Sequence, residues 1–398
     1  MVIGIISEYN PFHNGHAFQV NSIRKQFPDA IIVAIMSPNF VQRGDAALFD
    51  KYSRAQAAVL GGIDAVFSIP FVFANLSAEG FATAGVRLAD SLGIDTLSFG
   101  TECDNVDLLE SIADLMLSES FSKRVQNICD AIPSLSVVRA TQKAVDDALG
   151  SEAADTVSQP NNILALEYIK AIKKLNLSIK LLPIRREGEG YKSLIESSLP
   201  SAMLLRQKIS LGEDTSGLVP NSCDTLYKEL INGGRYSSGE IFPRILHTAL
   251  SLKSTDELET CFGSFELASK FGKHLFSSTT LDEVIDKTVG TRFTRSRIKR
   301  SVISAFFGIN HNEFIHEIPK FTQLLALSEK GREHLATLRH GAFPVIVKNA
   351  DAEKRSDYSD FSRQFELEKR ADRIWALTQV HSDSPDIFIK KSPFVKGL

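Results

Sequence analysis

Apolar residues come in short, nearly continuous runs over the first hundred positions: Val2-Ile3-Gly4-Ile5-Ile6, then 30–36, 65–69 and 96–100. Runs of this length and β-branching predict buried strands, and continuity rather than alternation predicts parallel strands covered on both faces. The stretches between them, 15–27, 50–61 and 77–92, carry helical spacing. Strand and helix in alternation predict right-handed βαβ units in a doubly wound, Rossmann-like parallel sheet, which binds ligands beyond the carboxyl ends of its strands. Helices are expected next near 107–117, 120–131, 138–149 and 162–174, then a strand over 178–184 and a helix opening at 197–206. From about residue 211 the texture becomes mainly helical. A small α/β unit is expected at the end, with a helix at 329–339, a strand at 343–348 and a helix at 365–378 carrying the only tryptophan, Trp375. It is expected to pack on the helical region. The chain therefore reads as an α/β catalytic region over 1–210 and a mainly α-helical C-terminal region over 211–398.

A length of 398 residues suits two or three domains and a core that needs no staples. The four cysteines, Cys103, Cys129, Cys223 and Cys261, show no metal or disulfide spacing and read as reduced thiols. No apolar run approaches the roughly 18 residues of a membrane span, and the N-terminus lacks a basic leader pattern. A cytoplasmic protein without a membrane partner is expected. The net charge of −3 does not announce a nucleic-acid binder, although a local patch would suffice.

The polar clusters fall at predicted strand ends. After the first strand comes Ser7-Glu8-Tyr9-Asn10-Pro11-Phe12-His13-Asn14-Gly15-His16. The spacing His13-x-Gly15-His16 puts two imidazoles on adjacent faces of the first turn of a helix, beside free backbone N–H groups, which makes an anion site with two titratable donors. Gly15 lets a flat group approach the backbone. After the second strand, the Pro- and Gly-bounded loop offers Asn39, Gln42 and Arg43 as donors. Gly100 ends the fourth strand, where a base or ribose could lie. Asn161 and Asn162 cap a helix or face the same ligand. Arg185 and Arg186 at a strand end suit phosphate. In the C-terminal half, Arg292, Arg295, Arg297, Lys299 and Arg300 crowd around Phe293, with Ile298, Val302 and Phe306 at i, i+4, i+8. That pattern predicts an amphipathic helix with a basic face for an RNA backbone.

Taken in order, several of these pieces resemble the bacterial tRNA(Met) cytidine acetate ligases, a branch of the HIGH-type nucleotidyltransferases. They are the run from Gly4 to His16, Asn39-Phe-Val-Gln-Arg-Gly-Asp45 with Asp50-Lys-Tyr-Ser-Arg54, Ser98-Phe-Gly-Thr-Glu102, Gln159-Pro-Asn-Asn-Ile-Leu164, Leu182-Pro-Ile-Arg185 and Thr294-Arg-Ser-Arg-Ile-Lys-Arg300. The resemblance implies a ligase that uses ATP with Mg²⁺ to activate acetate as acetyl-adenylate, then acetylates the wobble cytidine of elongator tRNA(Met). It implies catalytic roles for His13 and His16 and ATP contacts from Ser7 through His16, Gly100, Asn161 or Asn162, Arg185 or Arg186, and Arg206. It further implies an acetate or cytidine pocket at Asn39, Gln42 and Arg43, and tRNA contacts at Arg292–Arg300. No protein partner and no protein-held metal are implied. The chain departs from its relatives at Met203, where they carry a hydroxyl, and at Glu187 and Glu189 among the expected phosphate contacts. The other readings are an acetate-activating ligase with a protein thiol as acceptor, another HIGH-type adenylyltransferase, or a non-catalytic tRNA-binding protein.

Overall fold

A computed structural model describes residues 1–132, 134–185, 201–338, 343–382 and 384–397. The strands are β1 (Val2–Ser7), β2 (Ile31–Met36), β3 (Phe40–Val41), β4 (Asp45–Ala46), β5 (Ala65–Ser68), β6 (Thr96–Thr101), β7 (Lys180–Arg185), β8 (Thr322–Leu327), β9 (Val345–Ile346) and β10 (Phe394–Val395). β3 and β4 form a separate hairpin, and the rest build one sheet in the order β10-β8-β5-β2-β1-β6-β7, with β9 beside β8. From β5 to β7 every pair is parallel, as the continuous apolar runs predict. The chain steps outward through β1, β2 and β5, then returns to lay β6 and β7 on the other side of β1. The crevice beyond the carboxyl ends of β1 and β6 is therefore the topological switch point, where such sheets bind ligands.

Helix and sheet approach closely along this seam. A Cβ added at Gly85, in the helix Ala78–Ser91, would lie 2.8 Å from the Ile6 Cδ1. The first helix, Asn14–Gln26, is tied to β6 by Gln19, whose Nε2 donates to the Ser98 Oγ at 3.2 Å.

The end of the chain is built differently from the expected appendage. β8, which the sequence pattern did not predict, lies wholly buried and antiparallel against β5, so the C-terminal segment completes the main sheet. The strand expected at 343–348 shrinks to Val345–Ile346 and pairs with β8. Trp375, in the helix Tyr358–Ala376, is fully buried, and its Nε1 donates to the Ala47 carbonyl at 2.7 Å. No helix among the described residues is long and apolar enough to cross a membrane.

Candidate active site

The turn after β1 is packed by its own side chains. Tyr9 adopts φ +44° and is buried, with its ring edge-on to Phe12 at 5.0 Å and to His16 at 4.8 Å. Phe12 lies where any side chain on residue 61 would collide, since a Cβ on Gly61 would sit 2.3 Å from its ring. His13 is the N-cap of the first helix. Its Nδ1 accepts from the Gly15 N–H at 3.0 Å, and the His16 Nδ1 accepts from the His13 N–H at 3.2 Å. The two rings stack at 3.8 Å. This is a capping box in which both partners are imidazoles. Because each Nδ1 accepts, each neutral ring carries its proton on Nε2, and the pair is preset as Nε2–H donors.

The free helix N–H groups expected here are not free. The Asn14 N–H donates to the Leu218 carbonyl, the Gly15 N–H to His13 and the His16 N–H to the His13 carbonyl. Asn14 also donates through Nδ2 to the Gly217 carbonyl at 2.7 Å. Direct donors to an anion must therefore be side chains. Arg206 stands close, with its guanidinium donating to the Asn10 carbonyl at 2.7 Å. Burial lowers its pKa, against the opposing pull of Glu8 and Asp45. The Asn10 Oδ1 takes the Leu48 N–H at 2.7 Å, and Tyr227 donates to the Phe12 carbonyl at 3.0 Å. Cis-Pro11 and Ser7, the last residue of β1, complete the turn.

Across the switch point, Gly100 lies near the end of β6, opposite Ile184 on β7. The two asparagines separate here. Asn162 is buried, its Oδ1 accepting from Thr101 Oγ1 at 2.6 Å and from the Glu102 N–H at 2.9 Å, and its Nδ2 donating to the Thr156 carbonyl at 3.0 Å. It locks the helix Pro160–Lys174 to the strand end. Asn161 is half-buried, and its Nδ2 donates to the Glu102 carboxylate. Arg185 ends β7 with its side chain 64 % exposed, 3.9 Å from Asp104. Arg186, Glu187 and Glu189 lie outside the described residues.

The loop after β2 corrects one expectation. Asn39 is fully buried and faces the core. Its Nδ2 donates to Asp372 at 2.9 Å and its Oδ1 accepts from the Lys51 N–H at 2.7 Å, so no part of its amide is available to a substrate. Gln42 and Arg43 stand beside Glu8, and the Gln42 Nε2 donates to the Leu76 carbonyl at 3.4 Å. The Gln42 N–H donates to Glu8 Oε1 at 3.0 Å, and Arg43 is exposed. Burial raises the Glu8 carboxyl above its ordinary range, while Arg43, Arg206, the Gln42 N–H and Arg54 hold it back. The turn, the loop and Arg206 thus converge on one half-buried carboxylate.

Two supports below this loop were not assigned a place by sequence reasoning. Arg54 is buried and donates to the carbonyls of Phe49, Glu8, Ser37 and Pro38, binding the ends of β1 and β2 together. The Lys51 Nζ, also buried, meets Gln323 at 2.6 Å, Glu368 at 2.6 Å and Asp372 at 2.8 Å. A lysine followed by Ala55, Ala57 and Ala58 in one helix, and acids spaced i, i+4 between Phe365 and Trp375, are the only local signals of this network.

The basic segment also differs from expectation. It forms the helix Arg295–Phe307, but it does not present one solvated basic face. Arg292 pairs with Glu266 at 2.9 Å, and Arg295 with Asp282 at 2.5 Å and with Asp286. Lys299 and Arg300 turn inward: Lys299 pairs with Asp45 at 2.6 Å and Arg300 donates to the Gln42 carbonyl at 3.3 Å. Arg297 lies over the Phe293 ring at 5.0 Å. The helix seats on the loop at Gly44, where φ is +81° and a Cβ would come within 2.6 Å of Lys299.

The family model described as HIGH Nucleotidyl Transferase matches residues 1–386. A tRNA(Met) cytidine acetate ligase of Caldicellulosiruptor saccharolyticus is 33 % identical over 94 % of this chain and 93 % of its own, and that of Clostridium tetani 31 % over 98 % of each. This chain belongs to the tRNA(Met) cytidine acetate ligase family of HIGH nucleotidyl transferases. Within that family, Thermotoga maritima TmcAL bound with alpha-thio ATP superimposes with a TM-score of 0.88 at 27 % identity, covering 99 % of this chain and all of that one. Its apo form gives 0.90 at 26 % identity, covering 99 % of each. In this chain, His13 and His16 form the imidazole capping box at the switch point. No cluster of three or more His, Cys, Asp or Glu able to hold a metal occurs among the described residues.

Proposed function

We propose that this ligase activates acetate with ATP as acetyl-adenylate and transfers the acetyl group to the N4 amine of the wobble cytidine in elongator tRNA(Met). The names of the relatives and the alpha-thio ATP bound to TmcAL support ATP and tRNA(Met) as substrates. The observation that carries the chemistry is the pair of stacked imidazoles with both Nδ1 atoms engaged. A carboxylate oxygen attacks the α-phosphorus and pyrophosphate leaves, so the enzyme must neutralise charge that grows on the phosphate oxygens. His13 and His16 donate from Nε2 to those oxygens. Gly15 gives the nucleotide room at the turn, and Arg206 and Arg185, with Arg186, balance the pyrophosphate. Adenosine lies toward Gly100 and Asn161, because Asn162 is spent on holding the strand end. Gln42 and Arg43 face the acceptor side. The cytidine N4 lone pair then attacks the acetyl carbon, AMP departs with the bonding pair, and the proton lost from N4 passes to the departing phosphate or to water. No covalent enzyme intermediate is needed. A cytoplasmic setting follows from such a substrate.

The test is acetate-dependent exchange of labelled pyrophosphate into ATP, followed by transfer of labelled acetate to unmodified elongator tRNA(Met). The parent should do both, and His16→Ala should lower both by about 10²–10³-fold, the usual loss of one preorganised donor. Exchange that ignores acetate would sink the activation step. Exchange without transfer would sink the RNA acceptor.

A further inference from the structure

The arginines expected to meet RNA are largely paired within the protein, yet a neighbouring surface keeps its charge. In the helix Phe265–Leu275, Leu267, Ala268, Phe271 and Leu275 are buried. The opposite face carries Phe265, Ser269, Lys273 and, as C-cap, Phe276. At 100° per residue these four fall within about 80° of arc, and the two phenylalanines stand about 16 Å apart along the axis. Phe276 is 76 % exposed and Phe265 is 61 % exposed. Single exposed apolar residues need no explanation, but two aromatics on one stripe with a lysine between them do.

Lysines converge on the Phe276 end. Lys287, from the next helix, donates to the Ser278 Oγ at 2.9 Å and to the Ser277 carbonyl at 3.4 Å, which sets it just past Phe276. Lys270 donates to the Val289 carbonyl at 3.1 Å. Among the described residues, none of Lys270, Lys273 and Lys287 pairs with a carboxylate. Of the acids on the adjoining helix Leu281–Thr288, Asp282 and Asp286 hold Arg295, and Glu283 accepts from the Thr279 N–H and hydroxyl while also attracting Lys287 without a direct ion pair. His274 lies amid this charge. Burial lowers its pKa, and Lys273, Lys287 and Lys270 lower it further.

We propose that Phe276, Phe265 and the lysines at 270, 273 and 287 form a docking surface for unpaired nucleotides of the RNA substrate, with a base stacked on Phe276 and the ammonium groups on the phosphates. Exposed rings flanked by unpaired ammonium groups are how proteins hold splayed single strands, since every base offers a π-face and every linkage a charge. The alternation of exposed ring and ammonium group favours RNA over a protein partner, because RNA offers a base face beside each phosphate charge. The inference rests on the proposed tRNA acceptor and adds where its unpaired segment is held.

The experiment uses the full chain. Lys273→Glu/Lys287→Glu and, separately, Phe276→Ala are compared with the parent for affinity to unmodified elongator tRNA(Met) at several salt concentrations, for KM of tRNA in acetyl transfer, and for acetate-dependent pyrophosphate exchange. The double variant should bind tRNA at least ten-fold more weakly, and the slope of log K against log salt should fall by about 1.4, at about 0.7 per single-strand phosphate contact. Phe276→Ala should weaken binding about five-fold or more. Unchanged exchange in both variants shows that the fold is intact. Affinities within two-fold of the parent overturn the surface. So does a concentration-dependent rise in mass of the parent that Phe276→Ala abolishes, because the stripe is then a contact between copies. A parent that neither binds nor acetylates tRNA removes the functional reading itself. A parent that acetylates tRNA beside variants that do so equally well removes only the surface.

Discussion

The turn after β1 and the loop after β2 sit at the same end of the sheet but differ in what sets their polar side chains. The turn sets its own imidazoles, although Arg206, Gly217, Leu218 and Tyr227 bond to its backbone and to Asn14 from far along the chain. His13 and His16 cap one helix and each other within four residues, and Tyr9 and Phe12 pack on His16. The loop is held from far along the chain: Asn39 reaches Asp372 across 333 residues, and Lys299 and Arg300 reach it from the C-terminal half. Directly beneath it, Lys51 meets Glu368 across 317 residues. On the proposed reading, the imidazole donors for activation are set within a local motif, whereas the acceptor loop depends on the last third of the chain having closed onto the sheet. That is a physical reason for β8 and the helix Tyr358–Ala376 to return to the catalytic core.

The hardest way to break this difference is to remove the charge at its centre. Lys51→Met would leave Glu368 and Asp372 buried without their cation. Breaking a buried pair from one side costs about 3–5 kcal/mol, because the stranded charge keeps its desolvation penalty. The denaturant midpoint should fall accordingly, with the loop side losing order first, which hydrogen exchange at the Lys51 and Phe71 amides would read. A loss below about 1 kcal/mol would mean that the loop is held by packing alone.

A gentler test uses protons. One ammonium faces two carboxylates, and burial pushes the Asp372 carboxyl up to about 7, with Lys51 opposing and Glu368 adding to the rise. An unfolded Asp titrates near 3.9. Between about pH 4 and pH 7 the folded chain therefore keeps a proton that the unfolded chain has released, so this group's contribution to stability is complete below pH 4 and is lost as pH rises to about 7. Asp372→Asn, which keeps an acceptor for the Asn39 Nδ2, should flatten that slope and leave the stability profile above pH 8 parallel to the parent's. Parallel profiles across pH 4–7 would place the shared proton elsewhere.

The same contrast explains what the sequence could reveal. β1, β2, β5, β6 and β7 are short, largely apolar runs that pair parallel with one another, and each was readable where it stands. The histidine pair was readable because its geometry is set by the four residues that contain it. β8 was not, because Thr322-Gln323-Leu324 reads locally as neither strand nor helix and becomes a strand only against β5. Asn39 looked like a pocket donor because a loop asparagine usually faces solvent. Its burial is decided by Asp372, which no local pattern connects to it. Arg295 looked available for RNA for the same reason, its acids lying on a separate helix.

Arg295 supplies the smallest effect and the sharpest contrast with the buried network. Its side chain is 41 % exposed, and its guanidinium is shared between Asp282 and Asp286, which are themselves largely in water. Pairs of this kind are worth about 0.2–1 kcal/mol, because solvent screens the attraction and would solvate both partners again once they part. Arg295→Ala should therefore shift stability by less than about 1 kcal/mol, where Lys51→Met costs several times more for the same nominal loss of one cation. It should also leave the KM for tRNA within about two-fold of the parent, because two carboxylates already neutralise the charge. A large rise in that KM would mean that RNA draws the arginine away from Asp282 and Asp286. The paired helix, rather than the lysine stripe beside Phe276, would then be the RNA contact.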